Sequence, residues 1–428
     1  MERVLVRKIR DFIGKEILFK GWIAQIRELG GITFLRLRDR SGEIQGVVAD
    51  KDLIKKMENF TKESCVEVRG IVREEEKAPE GIEILVKEIR LISKAKELPF
   101  EVGRRKELLN LKLDTLLDYR PLALRNPGIG AIFRIQAEIV KGFREFLDEN
   151  DFLEVHTSKI ISQATEGGAN LFAIQYFEKK AYLTQSPQFY KQMLVGAGYE
   201  RVYEVGFVYR AEEHETSRHL NEYVSLDLEM GFIEDENDVM DLEVSLIKAI
   251  LSRLNQKKDL LSHFQIEEIP IPEEIPRIEW VEAKRIVSGD EEEKDLTPEE
   301  ERKITLWAKE KYDSEFVFIT KYPSSLRPFY TMPDKKPGFS RGFDLLYRGL
   351  EVTTGSQRIH NPDLLEENIK RFGLNPDDFR FYLEIFDYGM PPHGGLAIGL
   401  ERLTATLLGL KNIREASLFP RDRKRLTP

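Results

Sequence analysis

The chain has 428 residues, of which 66 are basic and 75 acidic, giving a formal charge of −9, and 41% are hydrophobic. That length allows two or three domains with sizeable cores, and no run of about eighteen apolar residues exists to cross a membrane. The single cysteine, Cys65, excludes an internal disulfide and a cysteine-built zinc site; Met1–Lys8 lacks the apolar centre of a signal peptide, so cytoplasmic residence is expected.

Apolar alternation predicts strands over 17–26, 32–38, 43–49, 65–72 and 82–92, with a Gly30-Gly31 turn and a helix near 51–60. Five short strands and one helix over 1–98 fit an OB-type barrel, although another small barrel would satisfy the same alternation. Residues 99–128 are charged, carry Pro99, Pro121 and Pro127, and read as a hinge. From 129 to 428 helical and strand patterns interleave. Residues 131–147 have apolar side chains at helical spacing, whereas 182–184, 202–205 and 343–347 read as short strands. The stretch 255–315, rich in Glu, Lys and Pro, reads as a peripheral insertion. The net acidity leaves nucleic acid open as a partner, because one basic face suffices for contact.

Two arginines in apolar surroundings stand out. Arg210 lies in Tyr209-Arg210-Ala211-Glu212-Glu213-His214 and Arg402 in Gly399-Leu400-Glu401-Arg402. A guanidinium there is costly unless it faces an anion, and its planar fork suits phosphate or carboxylate. The phosphate loop G-x-x-x-x-G-K-[ST] is absent, so the pair suggests a polyphosphate clamp of another kind. Taken singly, each segment also reads as ordinary structure, a salt-bridged hairpin in one case and a tightly packed strand–helix junction in the other.

Together with 142–159, 216–222, 226–230 and 394–403, these segments resemble the three motifs of class II aminoacyl-tRNA synthetases, and nearly the whole chain resembles the archaeal-type aspartyl branch of that family. The resemblance implies an α+β fold, with an OB-fold anticodon-binding barrel and a catalytic domain of antiparallel sheet flanked by helices. It implies an ATP- and Mg²⁺-dependent ligase that activates L-aspartate to the adenylate and transfers it to the 3′ end of tRNA(Asp). A homodimer is expected through 142–159, where Ser158 replaces the family's proline.

By the same resemblance, Arg210, Glu351 and Arg402 are the catalytic set. Arg210 would hold the α-phosphate, with Glu212, Arg218, His219 and Leu220 on the nucleotide and Gly399, Leu400, Glu401 and Arg402 around adenine and the γ-phosphate. Glu351, Thr354 and Asp344 would hold Mg²⁺. Glu166 and Gln188 would receive the amino acid's α-ammonium, and Lys191 and Arg358 its side-chain carboxylate. Ser186, Thr354 and Asp227 would complete the pocket, with His393 at its mouth. Asparagine would leave two buried cations without an anion, at a cost of about 3–5 kcal/mol.

In the barrel, Arg27, Phe34 and Gln45 match the family's anticodon readers. An exposed aromatic stacks on an unpaired base, and alternation turns Leu35 and Leu37 away from Phe34's face. Strict members carry tryptophan and lysine where this chain has Ala24 and Pro79, so tRNA(Asn) is expected as a second substrate. Two alternatives stand beside this reading: asparaginyl charging, disfavoured by Lys191, and a non-catalytic RNA-binding paralogue, which would be expected to lack Arg210, Glu351 or Arg402.

Overall fold

Alternating side chains build the first unit as a closed five-stranded barrel, with strands Glu16–Leu29, Ile32–Asp39, Gly42–Val48, Cys65–Glu74 and Ile82–Ser93. Phe19, Leu35, Leu37, Val68 and Ile84 fill its interior; burying such side chains contributes about 1.5–3 kcal/mol each. The short helix Lys51–Lys56 starts on Asp50, whose carboxylate accepts from the backbone N–H groups of Asp52 and Leu53. The computed structural model describes all residues except 103–110, 164–170, 214–215 and 290–293, and the chain divides into the units Met1–Glu101 and Val102–Pro428.

The second unit is organised by one eight-stranded sheet in the order Arg277–Glu279, Phe316–Thr320, Gly342–Tyr347, Leu350–Arg358, His393–Gly399, Glu222–Gly231, Arg201–Tyr209, Leu153–Glu154. Its interior pairs are antiparallel, as expected, but the pair at each edge is parallel, which makes the sheet mixed. The helices Pro127–Glu149 and Glu236–Asn255 bury apolar stripes against it; Ile139, Phe143, Ile247, Leu228, Leu345 and Leu396 meet in one core. Because side chains alternate along a strand, the neighbours of Leu345 and Thr353, Asp344 and Thr354, turn to the other face. No helix among the described residues is long and apolar enough to span a membrane.

Two stretches differ from their expected character. Within 99–128, residues Leu113–Asp118 and Arg120–Ala123 are helical. Arg120 is buried and donates to the carbonyls of Glu415, Ser417 and Leu418 at 2.6–3.0 Å. One guanidinium thus ties part of the expected hinge to the C-terminal segment. Within 255–315, the edge strand Arg277–Glu279 joins the main sheet, and the helices Trp280–Val287 and Pro298–Tyr312 share a core of Trp280, Ala283, Ile304 and Ala308 with sheet residues Val317 and Ile319. The stretch is therefore built into the sheet edge.

Glu243, on the helix Glu236–Asn255, is fully buried, and neither carboxyl oxygen has a hydrogen-bond partner. Burial pushes its pKa from 4.5 up to about 8, against a smaller downward pull from Thr353. The unfolded chain releases this proton near pH 4.5 and the folded chain only near 8, so folding stability should fall as pH rises through that window. Glu243→Gln is predicted to remove that slope, and so to gain stability over the native chain from pH 6 to pH 8.5. Urea unfolding at several pH values checks this; a difference that does not vary with pH would refute it.

Candidate active site

The site opens on the sheet face that carries Asp344 and Thr354. One cavity of about 330 Å³ gathers residues from segments far apart in the chain. Ser186, Gln188, Lys191, Arg210, Glu212, Arg218, His219, Leu220, Asp344, Glu351, Thr354, Arg358, Gly399, Glu401 and Arg402 all line it. Asp227 lies behind the lining, and Leu400 is buried at the start of the helix Leu400–Leu408. Glu166 falls outside the described residues.

The hairpin Arg201–Tyr209/Glu222–Gly231 fixes the first group of side chains. Arg210 follows its first strand; its backbone carbonyl accepts from Asn221 Nδ2 at 2.7 Å, and its guanidinium lies 5.8 Å from the Tyr223 ring. His219 Nε2 sits 3.5 Å from Glu212. Asp227 and Glu229 stand two apart on the second strand and so share a face.

Their partners come from elsewhere in the chain. Lys191 Nζ reaches Asp227 at 3.1 Å and Glu229 at 3.3 Å, and also donates to the carbonyls of Leu228 and Leu396. Arg358 donates from Nε and one terminal nitrogen to Glu229 at 2.9 and 3.3 Å, and from the other terminal nitrogen to Ser356 Oγ at 2.5 Å. Burial alone would raise the Glu229 pKa, but Arg358 and then Lys191 outweigh it, holding the carboxyl below its ordinary range. The two cations are therefore already paired by two carboxylates. This corrects the expectation that asparagine would strand both. Arg358 keeps open donors: a guanidinium has five N–H groups, and three are engaged here.

The cavity wall beside Lys191 also has a fixed acceptor. Gln188 Nε2 donates to Gln192 Oε1 at 2.9 Å, which leaves the Gln188 carbonyl oxygen as the acceptor in the cavity. Gln192 in turn donates to His393 Nε2 at 2.8 Å, while His393 Nδ1 faces Pro391 O at 2.9 Å. His393 is fully buried and does not line the cavity; burial drives its pKa down to about 4, so it is a neutral core group that orients Gln192. Its expected place at the pocket mouth is thereby corrected.

Elsewhere in the lining, Arg402 lies 3.3 Å from the Glu351 carboxylate, which also accepts from Thr354 Oγ1 at 2.9 Å. Burial would raise Glu351, but Arg402 and Thr354 lower it overall. Asp344 behaves differently: both its oxygens are taken by Arg327 in a bidentate pair at 2.9 and 2.5 Å. Burial raises its pKa to about 6 despite that pair. Glu401 accepts from the Val224 backbone N–H at 3.1 Å, and burial pushes it up to about 8, so it braces the hairpin as a neutral acid. Arg218 is held from behind by Glu301 at 2.6 Å and by the Gly349 carbonyl at 2.9 Å. Burial and the nearby Glu351 charge raise Glu301 to about 7.

Glu229, Arg327 and Glu301 were absent from the sequence-based set. The signal for Glu229 was present: two acids two apart on an otherwise apolar strand demand buried cations.

In the first unit, Arg27 and Phe34 are direct cross-strand partners, and Phe34 is only half-buried beside the buried Leu35 and Leu37. Gln45 lies opposite Arg36 and donates to Glu83 at 2.8 Å. Ala24 occupies a β-bulge between Ile23 and Gln25, and Pro79 is exposed in the turn before the last strand.

Residues 112–423 match the family described as tRNA synthetases class II (D, K and N), and residues 17–92 match the OB-fold nucleic acid binding domain. The chain belongs to the class II tRNA synthetases. It is 49% identical to the aspartate–tRNA(Asp/Asn) ligase of Thermus thermophilus over the full length of both chains. It is 44% identical to the aspartate–tRNA(Asp) ligase of Pyrococcus abyssi over 97% of each. The crystal structure of asparaginyl-tRNA synthetase from Pyrococcus horikoshii with asparaginyl-adenylate superposes with a TM-score of 0.91 at 33% identity, covering all of both chains.

The glycines of this synthetase's third motif make room for protein as much as for ligand. A Cβ on Gly395 would lie 2.2 Å from a Glu229 carboxylate oxygen and 2.2 Å from Leu228 O. Gly395→Ala is predicted to displace Glu229 and weaken amino-acid binding at least tenfold. Calorimetric titration with the amino acid checks this; unchanged affinity in a folded variant would refute it.

Proposed function

We propose that this synthetase is an aspartate–tRNA ligase that charges tRNA(Asp) and also tRNA(Asn). The observation that carries the amino-acid assignment is the Lys191–Asp227–Glu229–Arg358 quartet, which presents only N–H donors from Arg358 to a ligand. A side-chain carboxylate accepts both; an asparagine amide would turn its NH₂ donors toward donors. Gln188 and Ser186, with Glu166, receive the α-ammonium.

Activation then needs no protein nucleophile. The substrate's α-carboxylate attacks the α-phosphorus of ATP, the aspartyl-adenylate forms and pyrophosphate leaves. The ribose hydroxyl of the tRNA's terminal adenosine next attacks the acyl carbon, and AMP departs. Arg210 faces the charge that gathers on the α-phosphoryl oxygens, while Arg402, Arg218 and His219 bind the rest of the nucleotide. Positioning and charge stabilisation supply the rate.

Among the described residues no cluster of three or more acids, histidines or cysteines could hold a metal. That fits Mg²⁺, which takes one or two carboxylates with waters and substrate phosphates. Glu351 and Thr354 would hold it, and it would neutralise phosphate charge; Asp344, committed to Arg327, is better read as a brace. In the barrel, Phe34 stacks on the middle anticodon base, a uridine, and Gln45 pairs with its edge, with Arg27 as a further anticodon contact. The segment 142–159, which leaves Leu153 exposed, contributes to a homodimer interface that light scattering would detect.

The second reading, asparagine charging, draws on the solved asparaginyl relative; Lys191 and the open Arg358 donors speak against it. Charging of purified tRNA(Asp) and tRNA(Asn) with labelled aspartate or asparagine decides. Aspartate is expected on both tRNAs, with asparagine slower by about 10³ or more in kcat/KM. A strong preference for tRNA(Asp) would discard the relaxed specificity alone, and asparagine charging would discard the pocket assignment. Lys191→Met is expected to lower kcat/KM for aspartate by about 10² or more by unbalancing Asp227 and Glu229, as pyrophosphate exchange would measure.

A further inference from the structure

The helix Pro298–Tyr312 comes from the stretch that the sequence marks as peripheral, yet its first turn reaches the nucleotide end of the site. Thr297 caps it reciprocally with Glu300: Thr297 Oγ1 accepts from the Glu300 backbone, and Glu300 accepts from the Thr297 backbone. Lys284 anchors Glu300 at 2.7 Å. The same helix is pressed against the turn between the strands Gly342–Tyr347 and Leu350–Arg358. Gly349 in that turn has φ +82°, and a Cβ there would lie 2.6 Å from Arg302. Glu301 therefore sits on a platform locked at both its cap and its flank.

From that platform Glu301 meets one terminal nitrogen of Arg218 at 2.6 Å, and the Gly349 carbonyl meets the other at 2.9 Å. Arg218 lines the cavity, whereas Glu301 does not. The contact is thus made from behind, and it leaves Arg218 facing the cavity.

We propose that Glu301 is a positioning residue for ATP, acting through Arg218 to aim a cation at the outer phosphates. The inference rests on the ligase reading above. A flexible arginine on a polar loop would otherwise lose rotamer freedom on every binding event; a carboxylate and a carbonyl that hold it in advance remove that loss. The effect is confined to ligands with phosphates beyond the α position, since Arg210 serves the α-phosphate.

The test uses the full chain and the variants Glu301→Gln, Glu301→Asp, Arg218→Ala and the double variant Glu301→Gln/Arg218→Ala. ATP and AMP affinities are measured by calorimetry, and KM for ATP and for aspartate by pyrophosphate exchange. Glu301→Gln should weaken ATP about tenfold, leave AMP and the aspartate KM within twofold, and be partly rescued in Glu301→Asp. The double variant should bind ATP no more weakly than Arg218→Ala. Equal losses for ATP and AMP, unchanged ATP affinity, or additive losses in the double variant would each overturn the proposal. Absence of aspartate-dependent exchange in the native chain would instead overturn the ligase reading.

Discussion

The amino-acid end of the site depends on the bridge that Glu229 makes between Lys191 and Arg358. Each of these ions is buried, and each alone would carry a desolvation penalty of several kcal/mol. Held within hydrogen-bonding distance of one another, with Asp227 as the second carboxylate and Lys191 seated on the carbonyls of Leu228 and Leu396, they form a neutral set. The fold serves this bridge. Glu229 lies on a central strand, Arg358 at the end of another, Lys191 on the helix Gln188–Leu194, and Gly395 gives up its side chain to leave space between them.

The nucleotide end is assembled on a different plan. Its cations are aimed by groups behind them rather than neutralised among themselves. Glu301 and Gly349 O hold Arg218, and Glu351 faces Arg402. Asp344 and Arg327 close on each other and tie the strand Gly342–Tyr347 to the turn that ends at Arg327. The sheet thus presents a charge-balanced recess beside a set of oriented cations.

Much of this was legible in the sequence. The barrel strands fell within a few residues of their predicted spans because their cores alternate cleanly, and Phe34 turned outward for the same reason. Arg210, Arg402 and Lys191, which local motif context marks in the sequence, line one cavity. What could not be read was partnership across distance. Asp227 and Glu229 signal buried cations, but Arg358 lies 129 residues from Glu229, so which cations answer them is encoded in no local pattern. Asp344 read as a metal ligand because Arg327 was out of view, and His393 read as a pocket residue because nothing local told of its burial beside Gln192. The stretch 255–315 read as peripheral because its composition is that of a solvated surface, whereas Glu301 on its helix Pro298–Tyr312 reaches Arg218 in the cavity wall.

The neutral quartet also limits how such a recess can diverge. Replacing any one of the four ions leaves a net charge inside the sheet, so a change of preferred side chain by single steps passes through an unstable intermediate. Cation and anion would have to be exchanged in pairs, from strands and a helix far apart in the chain. The folding energy of the scaffold therefore guards the ionic make-up of this recess, and its drift would register first as lost stability.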